Sequence, residues 1–395
     1  MPRKLTAQCN GQSEVAPIAL RRSRRHATSV HEIDALYAFC VAAMIAMAVT
    51  PFVARVAGRV GAIDSPGERS LHDRPTPSLG GIAVFAGVVV AALTFLPNSA
   101  VNSGILWGAL AITVVGATDD IWDLHPAIKL LGQIGTATIP VAAGVRVENI
   151  TLPFLGAIDL GGSGWVLTVI GFVAVMNAVN FIDGVDGLAA GVCTIAASTF
   201  AVIALSLDRL DAGLLAALTA GGAVGFLRHN FHPASIFMGD SGSNLLGYML
   251  AAIAIQGVLK TAAAVALVFP LVILAVPILD SSFVIAKRIK YREPIYKADR
   301  WQLHHRFANI GFSQRKTVLY LYGWTLALAT LALALRFVPY SDNHGHFRAG
   351  WTVVMIGFAL LALAASAYLV FILEILKLKR LRGFKAPTTQ ADPQG

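Results

Sequence analysis

Asn177, Asn180, Asp183 and Asp186 recur at intervals of three residues between two long apolar runs, with Gly184 and Gly187 beside the acids. A carboxylate at the centre of a membrane helix costs roughly 3 kcal/mol on insertion scales. Two of them, flanked by glycines that free the backbone, point to a working turn; the bland alternative is a short solvated turn between helices. Clusters of carboxylate oxygens bind hard divalent cations, and close like charges move one another's proton affinity toward the range a general base needs.

Further turns carry compatible groups. Asp119-Asp120-Ile-Trp-Asp123 ends an apolar run, and its paired carboxylates suit Mg2+ completed by waters and phosphates. Lys129 follows as a candidate phosphate contact. In Phe237-Met-Gly239-Asp240-Ser-Gly242-Ser243, an acid lies between glycines at a helix start. Asp240 can hold a metal, free backbone N–H groups there favour phosphate, and Phe237 offers a stacking face. The turn from Asp64 to Gly81 holds Arg69, His72 and Arg74, and arginine grips phosphate oxygens in a fork. Asp299-Arg300-Trp-Gln302-Leu-His304-His305-Arg306 could clamp a diphosphate or work near neutral pH. Zinc is the weaker option there, since no Cys or further His has suitable spacing. Lys287, Arg288, Lys290 and Arg292 read as an anchor to anionic headgroups. Each turn taken alone reads equally as a solvated loop or a helix cap.

The elements that must position these groups are membrane helices. The chain has 395 residues, 56% hydrophobic and 13% charged, against about 25% charged in a soluble domain. Apolar runs long enough for spans, at ~17–25 residues each, fall at 34–54, 79–97, 101–118, 129–145, 164–180, 188–207, 210–228, 243–259, 261–283, 317–337 and 350–374. The expected fold is an all-α polytopic membrane protein of about eleven transmembrane helices. Residues 1–32 form a basic segment expected to lack order, 33–375 the membrane domain, and 376–395 a basic cytoplasmic tail. Segment 145–162 alternates like a small extracytoplasmic β-hairpin without chemistry of its own. The three cysteines are too few and too scattered for a disulfide framework.

Eleven spans sort the loops into two sets. One set holds 20 Lys and Arg, the other 5, and the N-terminal segment the remaining 6 of 31. Basic loops face the cytoplasm, which leaves the N-terminal arginines outside, against that rule. The net charge of +9 is spread over short loops, which fits a plasma-membrane protein and excludes nucleic acid as the partner. The turns that combine acids, His and Gly all fall in the cytoplasmic set. Acids for a divalent ion, basic groups for phosphates and an amphiphilic setting together read as phosphoryl transfer from a soluble donor to an acceptor in the bilayer. The rival reading is a transporter or lipid flippase, whose ion-coupling acids belong near the midplane on broken helices.

In order and spacing, Asp119-Asp120-x-x-Asp123, Asn177-x-x-Asn180-x-x-Asp183-Gly-x-Asp186-Gly-Leu, Gly239-Asp240-Ser-Gly-Ser and His304-His305-Arg306 resemble the polyprenyl-phosphate N-acetylhexosamine-1-phosphate transferase family, glycosyltransferase family 4. The resemblance runs from about Asp64 to Thr317, and the stretch from Asp299 to Arg315 looks most like the branch using UDP-N-acetylglucosamine. It implies transfer of a sugar-1-phosphate from a UDP-sugar to polyprenyl phosphate, with release of UMP and with Mg2+ or Mn2+ as cofactor, in one step or through an enzyme intermediate. By position it implies Asp240 and Asp119 as metal ligands, and Asp119, Asp120 and Asp183 as catalytic acids. Arg74, Lys129, Asn180, Asp186, Phe237, His304, His305 and Arg306 become substrate contacts, with Phe237 against uracil. A homodimer is compatible with it. Two positions depart from the pattern: Gln302 stands where the family commonly has His, and Arg69-Ser70-Leu71-His72 where it has Arg-Lys-x-His.

Overall fold

The computed structural model describes residues 15–65, 74–152, 156–259, 268–291, 307, 311–339 and 348–383. The chain is mostly helical. Helix α1 (Val15–Val60) begins inside the basic N-terminal segment and is followed by two short paired strands, β1 (Ile63–Asp64) and β2 (Thr76–Pro77). Then come α2 (Gly80–Phe95), α3 (Ala100–Trp122) and α4 (Pro126–Ala142). A hairpin of β3 (Asn149–Leu152) and β4 (Gly156–Asp159) pairs antiparallel, with Asn149 opposite Asp159. The rest is α5 (Ser163–Ile182), α6 (Leu188–Ser206), α7 (Leu210–Asn230), α8 (Gly239–Ala254) with a π-helical extension (Ile255–Leu259), α9 (Val268–Ile273), α10 (Ala275–Tyr291), α11 (Gln314–Phe337) and α12 (Ala349–Gly383).

Local chemistry sets the helix ends near the acidic turns. Ser99 accepts the backbone N–H of Asn102 to start α3, and Asp123, at φ 49°, ends it. Pro126 opens α4, a position that needs no intrahelical N–H. Ser313 caps α11 through the N–H of Lys316.

Seven helices among the described residues are long and apolar enough to cross a membrane: Glu32–Val60 of α1, then α3, α5, α6, α7, α11, and Ala349–Ser366 of α12. This is fewer than the eleven spans expected. The short helices account for the difference. At 1.5 Å per residue, the 16 residues of α2 and the 17 of α4 reach only about 24–26 Å, short of a hydrocarbon core of about 30 Å, and α8 runs past its own 16 residues only through its π-helical extension. The run at 261–283 is divided into α9 and α10, and 260–267 lie outside the described residues. Large apolar side chains face outward on many helices, among them Leu93, Trp107, Leu131, Val353 and Leu363, as expected of surfaces that meet lipid.

Helix α8 is the innermost element; every residue from Ser241 to Ala254 is buried. It packs against α3, α5, α2 and α7. Glycines on its neighbours permit this. A Cβ at Gly116 of α3 would overlap the Asp240 carbonyl, and one at Gly81 of α2 would overlap the backbone of Ser241 and Gly242. Gly108 makes room for Tyr248, whose hydroxyl donates to the Ile105 carbonyl at 3.0 Å. Small residues are the usual means by which membrane helices approach backbone to backbone.

The close approach yields a prediction. Gly116→Val destabilises the purified protein by about 1–3 kcal/mol, the usual cost of overpacking, read as a lower thermal midpoint in detergent. Gly171→Ala, where an added methyl meets nothing within 4 Å, keeps the midpoint or raises it. Equal losses at both positions would contradict the packing account.

Candidate active site

The acidic turns meet at one end of the bundle. The C-terminal turn of α3 brings Asp119 and Asp120, the first turn of α4 brings Lys129, the end of α5 brings Asn180 and Asp183, and the first turn of α8 brings Asp240. The approach to α8 is fixed by backbone pairing. Phe237 N–H donates to Pro77 O at 2.8 Å, and Gly80 and Gly81 N–H donate to Phe237 and Met238 O at 3.0 Å each. Gly239 then turns at φ +69°, with Asp120 and Ser78 where a Cβ would stand, so only glycine fits there.

Lys129 joins the two carboxylates that the sequence marks as metal ligands. Its Nζ lies 3.0 Å from Asp119 Oδ2 and 2.7 Å from Asp240 Oδ2. Asp119 also accepts the Leu124 N–H at 2.7 Å. Asp120 does something different. Its Oδ1 accepts the Asp240 N–H at 2.7 Å and its Oδ2 the Ser241 N–H at 3.1 Å. The first N–H groups of α8, expected to be free for phosphate, are therefore taken by a carboxylate from α3, which satisfies unpaired donors and complements the helix dipole. Through this cap Asp120 holds Asp240 in place.

Asn180 Nδ2 donates to Asp240 Oδ1 and, at 2.9 Å, to Ser243 Oγ. Behind it runs a polar chain absent from the sequence reading. Asn177 Nδ2 donates to Gln133 Oε1 at 2.8 Å, Gln133 Nε2 to Asn244 Oδ1 at 2.7 Å, and Asn244 Nδ2 to the Asp240 carbonyl at 2.8 Å. Gln133 and Asn244 are almost fully buried, so each bond replaces a desolvated, unsatisfied group costing about 1–3 kcal/mol. The only legible signal for these two was a polar side chain inside an apolar run.

Asp183 follows the last turn of α5, half-buried, and among the described residues its carboxylate has no hydrogen-bond partner. Burial, then the charges of Asp240, Asp120 and Asp186, push its carboxyl well above the ordinary carboxylate range. Asp186 is engaged: Oδ2 meets His232 Nδ1 at 2.8 Å and accepts the Ala234 N–H at 3.0 Å. Asn230 steadies the same loop, accepting the Gly187 N–H and donating to Ile236 O, both at 3.0 Å. From α11, the Tyr322 hydroxyl donates to Gly187 O at 2.5 Å.

Phe237 is half-buried in the strand-like approach to α8, and Arg74 is exposed ahead of β2. Arg288 on α10 departs from the headgroup anchor expected of it: it is buried, its guanidinium 5.7 Å from the centre of the Phe181 ring, two residues from Asp183. Arg69 and His72 lie outside the described residues, as do Asp299, Arg300, Gln302, His304, His305 and Arg306.

The residues present fit a hard divalent cation in an open site. Asp119 and Asp240 already share one cationic group, the Lys129 ammonium, and both offer carboxylate oxygen, the donor that Mg2+ and Mn2+ prefer. Among the described residues no three His, Cys, Asp or Glu side chains form a closed metal site. An open pair suits Mg2+, which keeps water and is usually completed by substrate phosphates.

Asp183 generates a pH prediction. Because its folded-state value is raised, the native chain keeps a proton that the unfolded chain releases. Stability from this group is whole below the unfolded value, about 3.9, and falls as pH rises through the native value, by at most about 1.4 kcal/mol per pH unit. Asp183→Asn removes that slope. In chelator-treated protein, its thermal midpoint gains on wild type between about pH 5 and about pH 8. A difference that stays constant with pH would contradict the assignment.

Known proteins resemble the chain in sequence. Residues 102–258 match glycosyl transferase family 4. A Bacillus subtilis (strain 168) protein named "Probable undecaprenyl-phosphate N-acetylglucosaminyl 1-phosphate transferase" is 39% identical over 305 residues, covering 76% of this chain and 85% of that protein. A Mycobacterium leprae (strain TN) protein named "Decaprenyl-phosphate N-acetylglucosaminephosphotransferase" is 36% identical over 315 residues, covering 72% and 79%. A Desulforudis audaxviator (strain MP104C) protein named "Phospho-N-acetylmuramoyl-pentapeptide-transferase" is 35% identical over 327 residues, covering 75% and 95%. With relatives at this identity and coverage, the chain belongs to glycosyl transferase family 4.

Proposed function

We propose that the chain transfers N-acetylglucosamine-1-phosphate from UDP-N-acetylglucosamine to a polyprenyl phosphate in the bilayer, releasing UMP. The observation that carries this reading is the convergence of Asp119, Asp240, Asp183 and Lys129, from four separate elements, at one end of an apolar bundle. The relatives named for N-acetylglucosamine transfer to undecaprenyl and decaprenyl phosphate support the sugar and the acceptor class. Ion-coupling sites of carriers lie near the midplane on broken helices; acids gathered at helix ends fit a reaction at the membrane surface.

In this reading an oxygen of the lipid phosphate forms a bond to the donor's β-phosphorus. The bond from that phosphorus to the oxygen bridging the two phosphates breaks, and UMP leaves with the electron pair. Asp183, with its raised proton affinity, takes the proton from the acceptor phosphate and leaves a dianionic nucleophile. Asp240 and Asp119 would hold Mg2+ or Mn2+ by carboxylate oxygens, and the ion would supply charge neutralisation of the diphosphate. Asp120 and Asn180 keep Asp240 aimed, through its backbone and its side chain respectively. Lys129 and Arg74 offer cationic groups to phosphate. Asn180, Asp186 and Phe237 line the nucleotide side, and His304, His305 and Arg306 face the sugar and diphosphate.

The same reading sets the chain in the plasma membrane with these turns toward the cytoplasm, where the soluble donor is found. The split of 20 basic residues against 5 between the two loop sets supports that orientation and the eleven-span topology. It leaves the hairpin of β3 and β4 on the opposite face. The product starts a lipid-linked glycan of the cell envelope.

Purified protein given UDP-N-acetylglucosamine, polyprenyl phosphate and Mg2+ releases UMP and forms the lipid-linked sugar. Chelation abolishes both, and added Mg2+ or Mn2+ restores them. Asp240→Asn lowers kcat by about 10²–10³, the range found when one group that stabilises developing charge is removed. Metal-independent turnover, or an Asp240→Asn variant within a few-fold of wild type, would refute the reading.

A further inference from the structure

One carboxylate oxygen of Asp186 is already committed within the protein. Its Oδ2 takes both the His232 imidazole, at 2.8 Å from Nδ1, and the Ala234 N–H, at 3.0 Å. The side chain of Asp186 is 11% exposed and that of His232 33%. The imidazole is thus the member of the pair that reaches the open side of the loop. Among the described residues its Nε2 has no hydrogen-bond partner.

The pairing also decides what that nitrogen can do. An ionised carboxylate oxygen only accepts, so the Nδ1 facing Asp186 carries the hydrogen, and in the neutral ring Nε2 is left as an acceptor. The backbone N–H of Ala234 fixes the carboxylate, and the carboxylate fixes the ring. This is the orienting arrangement by which a histidine is held for a task at its other nitrogen. Location adds the rest. The chain from His232 runs in five residues to Phe237 and in eight to Asp240, while Asp186 lies three residues after Asp183.

Resting on the transferase reading above, we propose that His232, oriented by Asp186, is the residue that contacts the nucleoside of the donor. Its Nε2 accepts a hydrogen bond from an N–H or O–H of the uridine moiety. Asp186 is then a positioning residue acting through the imidazole, and the loop from His232 to Phe237 supplies both an edge contact and a face contact to the same base-bearing group.

The alternative is a latch, in which the His232–Asp186 bond only closes the loop. Two variants separate the two. Asn at this position keeps a donor near the place of Nδ1, so His232→Asn retains the bond to Asp186 but lacks the outer acceptor. Gln instead places an amide near Nε2. The protein is used full-length in detergent with Mg2+, and binding of UMP is measured by calorimetry alongside donor KM and kcat. The contact predicts that His232→Asn raises the UMP dissociation constant and the donor KM about three- to tenfold, as for one lost neutral hydrogen bond, more than it lowers kcat. It predicts partial recovery in His232→Gln, and the same fold-loss when uridine, which has no phosphate, competes with the donor. Full recovery of UMP binding in His232→Asn overturns the proposal in favour of the latch. A loss with UMP but none with uridine overturns it in favour of a phosphate contact. Wild-type protein that binds no UMP and transfers no sugar would instead overturn the transferase reading itself.

Discussion

Lys129 stands between the carboxylates of Asp119 and Asp240, 3.0 Å from one and 2.7 Å from the other. Carboxylates from two different helices, brought together at the edge of an apolar bundle, repel each other and have lost most of their water. The desolvation penalty for such charges amounts to several kcal/mol per ion, even after relaxation. They stay together because a cation shares them. Breaking such a pair by removing one partner typically costs about 3–5 kcal/mol. The rest of the site can be understood as the means of keeping these charges at that spacing: the ends of α3, α4 and α8 have to arrive at one place.

Helix α8 is the piece that makes the arrival possible. It is short and buried throughout, and it enters the bundle with Asp240 in its first turn. Glycines at 81 and 116 let it approach α2 and α3 backbone to backbone. Its N-terminal N–H groups would be orphaned inside the bundle, and Asp120 satisfies two of them. On the other side Asn180 holds the carboxylate, and the chain of Asn177, Gln133 and Asn244 holds its carbonyl. The Asp240 residue is thereby fixed from four directions, and such fixing is what preorganised electrostatic catalysis needs. Asp183 is the exception in the cluster. It is hemmed in by negative charge and, among the described residues, its carboxylate has no hydrogen-bond partner, so its proton affinity stays raised.

Much of this was legible in the sequence because charge in an apolar context is rare. Asp119, Asp183 and Asp240 stood out as acids at the ends of apolar runs, and Lys129 as a lone cation at the start of another. Their convergence followed from assigning their loops to one side. What the sequence did not carry was partnership. Nothing in its pattern distinguishes Asp120, which caps α8, from Asp119, which faces Lys129. Gln133 and Asn244 lie inside apolar runs where a polar residue has no marker for its mate, and they are separated by more than a hundred positions. Arg288 read as a membrane anchor because it sits in a basic cluster, yet it is buried over Phe181. Helix length was not legible either: among the described residues seven of the eleven apolar runs form helices long and apolar enough to cross on their own, while the runs at 79–97 and 129–145 form helices of 16 and 17 residues.

The central claim is that Asp119 and Asp240 together hold one divalent ion at the place where the acidic turns meet. Electron paramagnetic resonance of Mn2+ titrated into the purified protein tests it most directly, since the free-ion signal disappears as the metal is bound. The account predicts one site on wild type, a much weaker one in Asp240→Asn and in Asp119→Asn, and tighter binding in both wild type and His232→Asn when UMP and phosphate are present. Mn2+ binding of equal strength in Asp240→Asn, Asp119→Asn and wild type would contradict it.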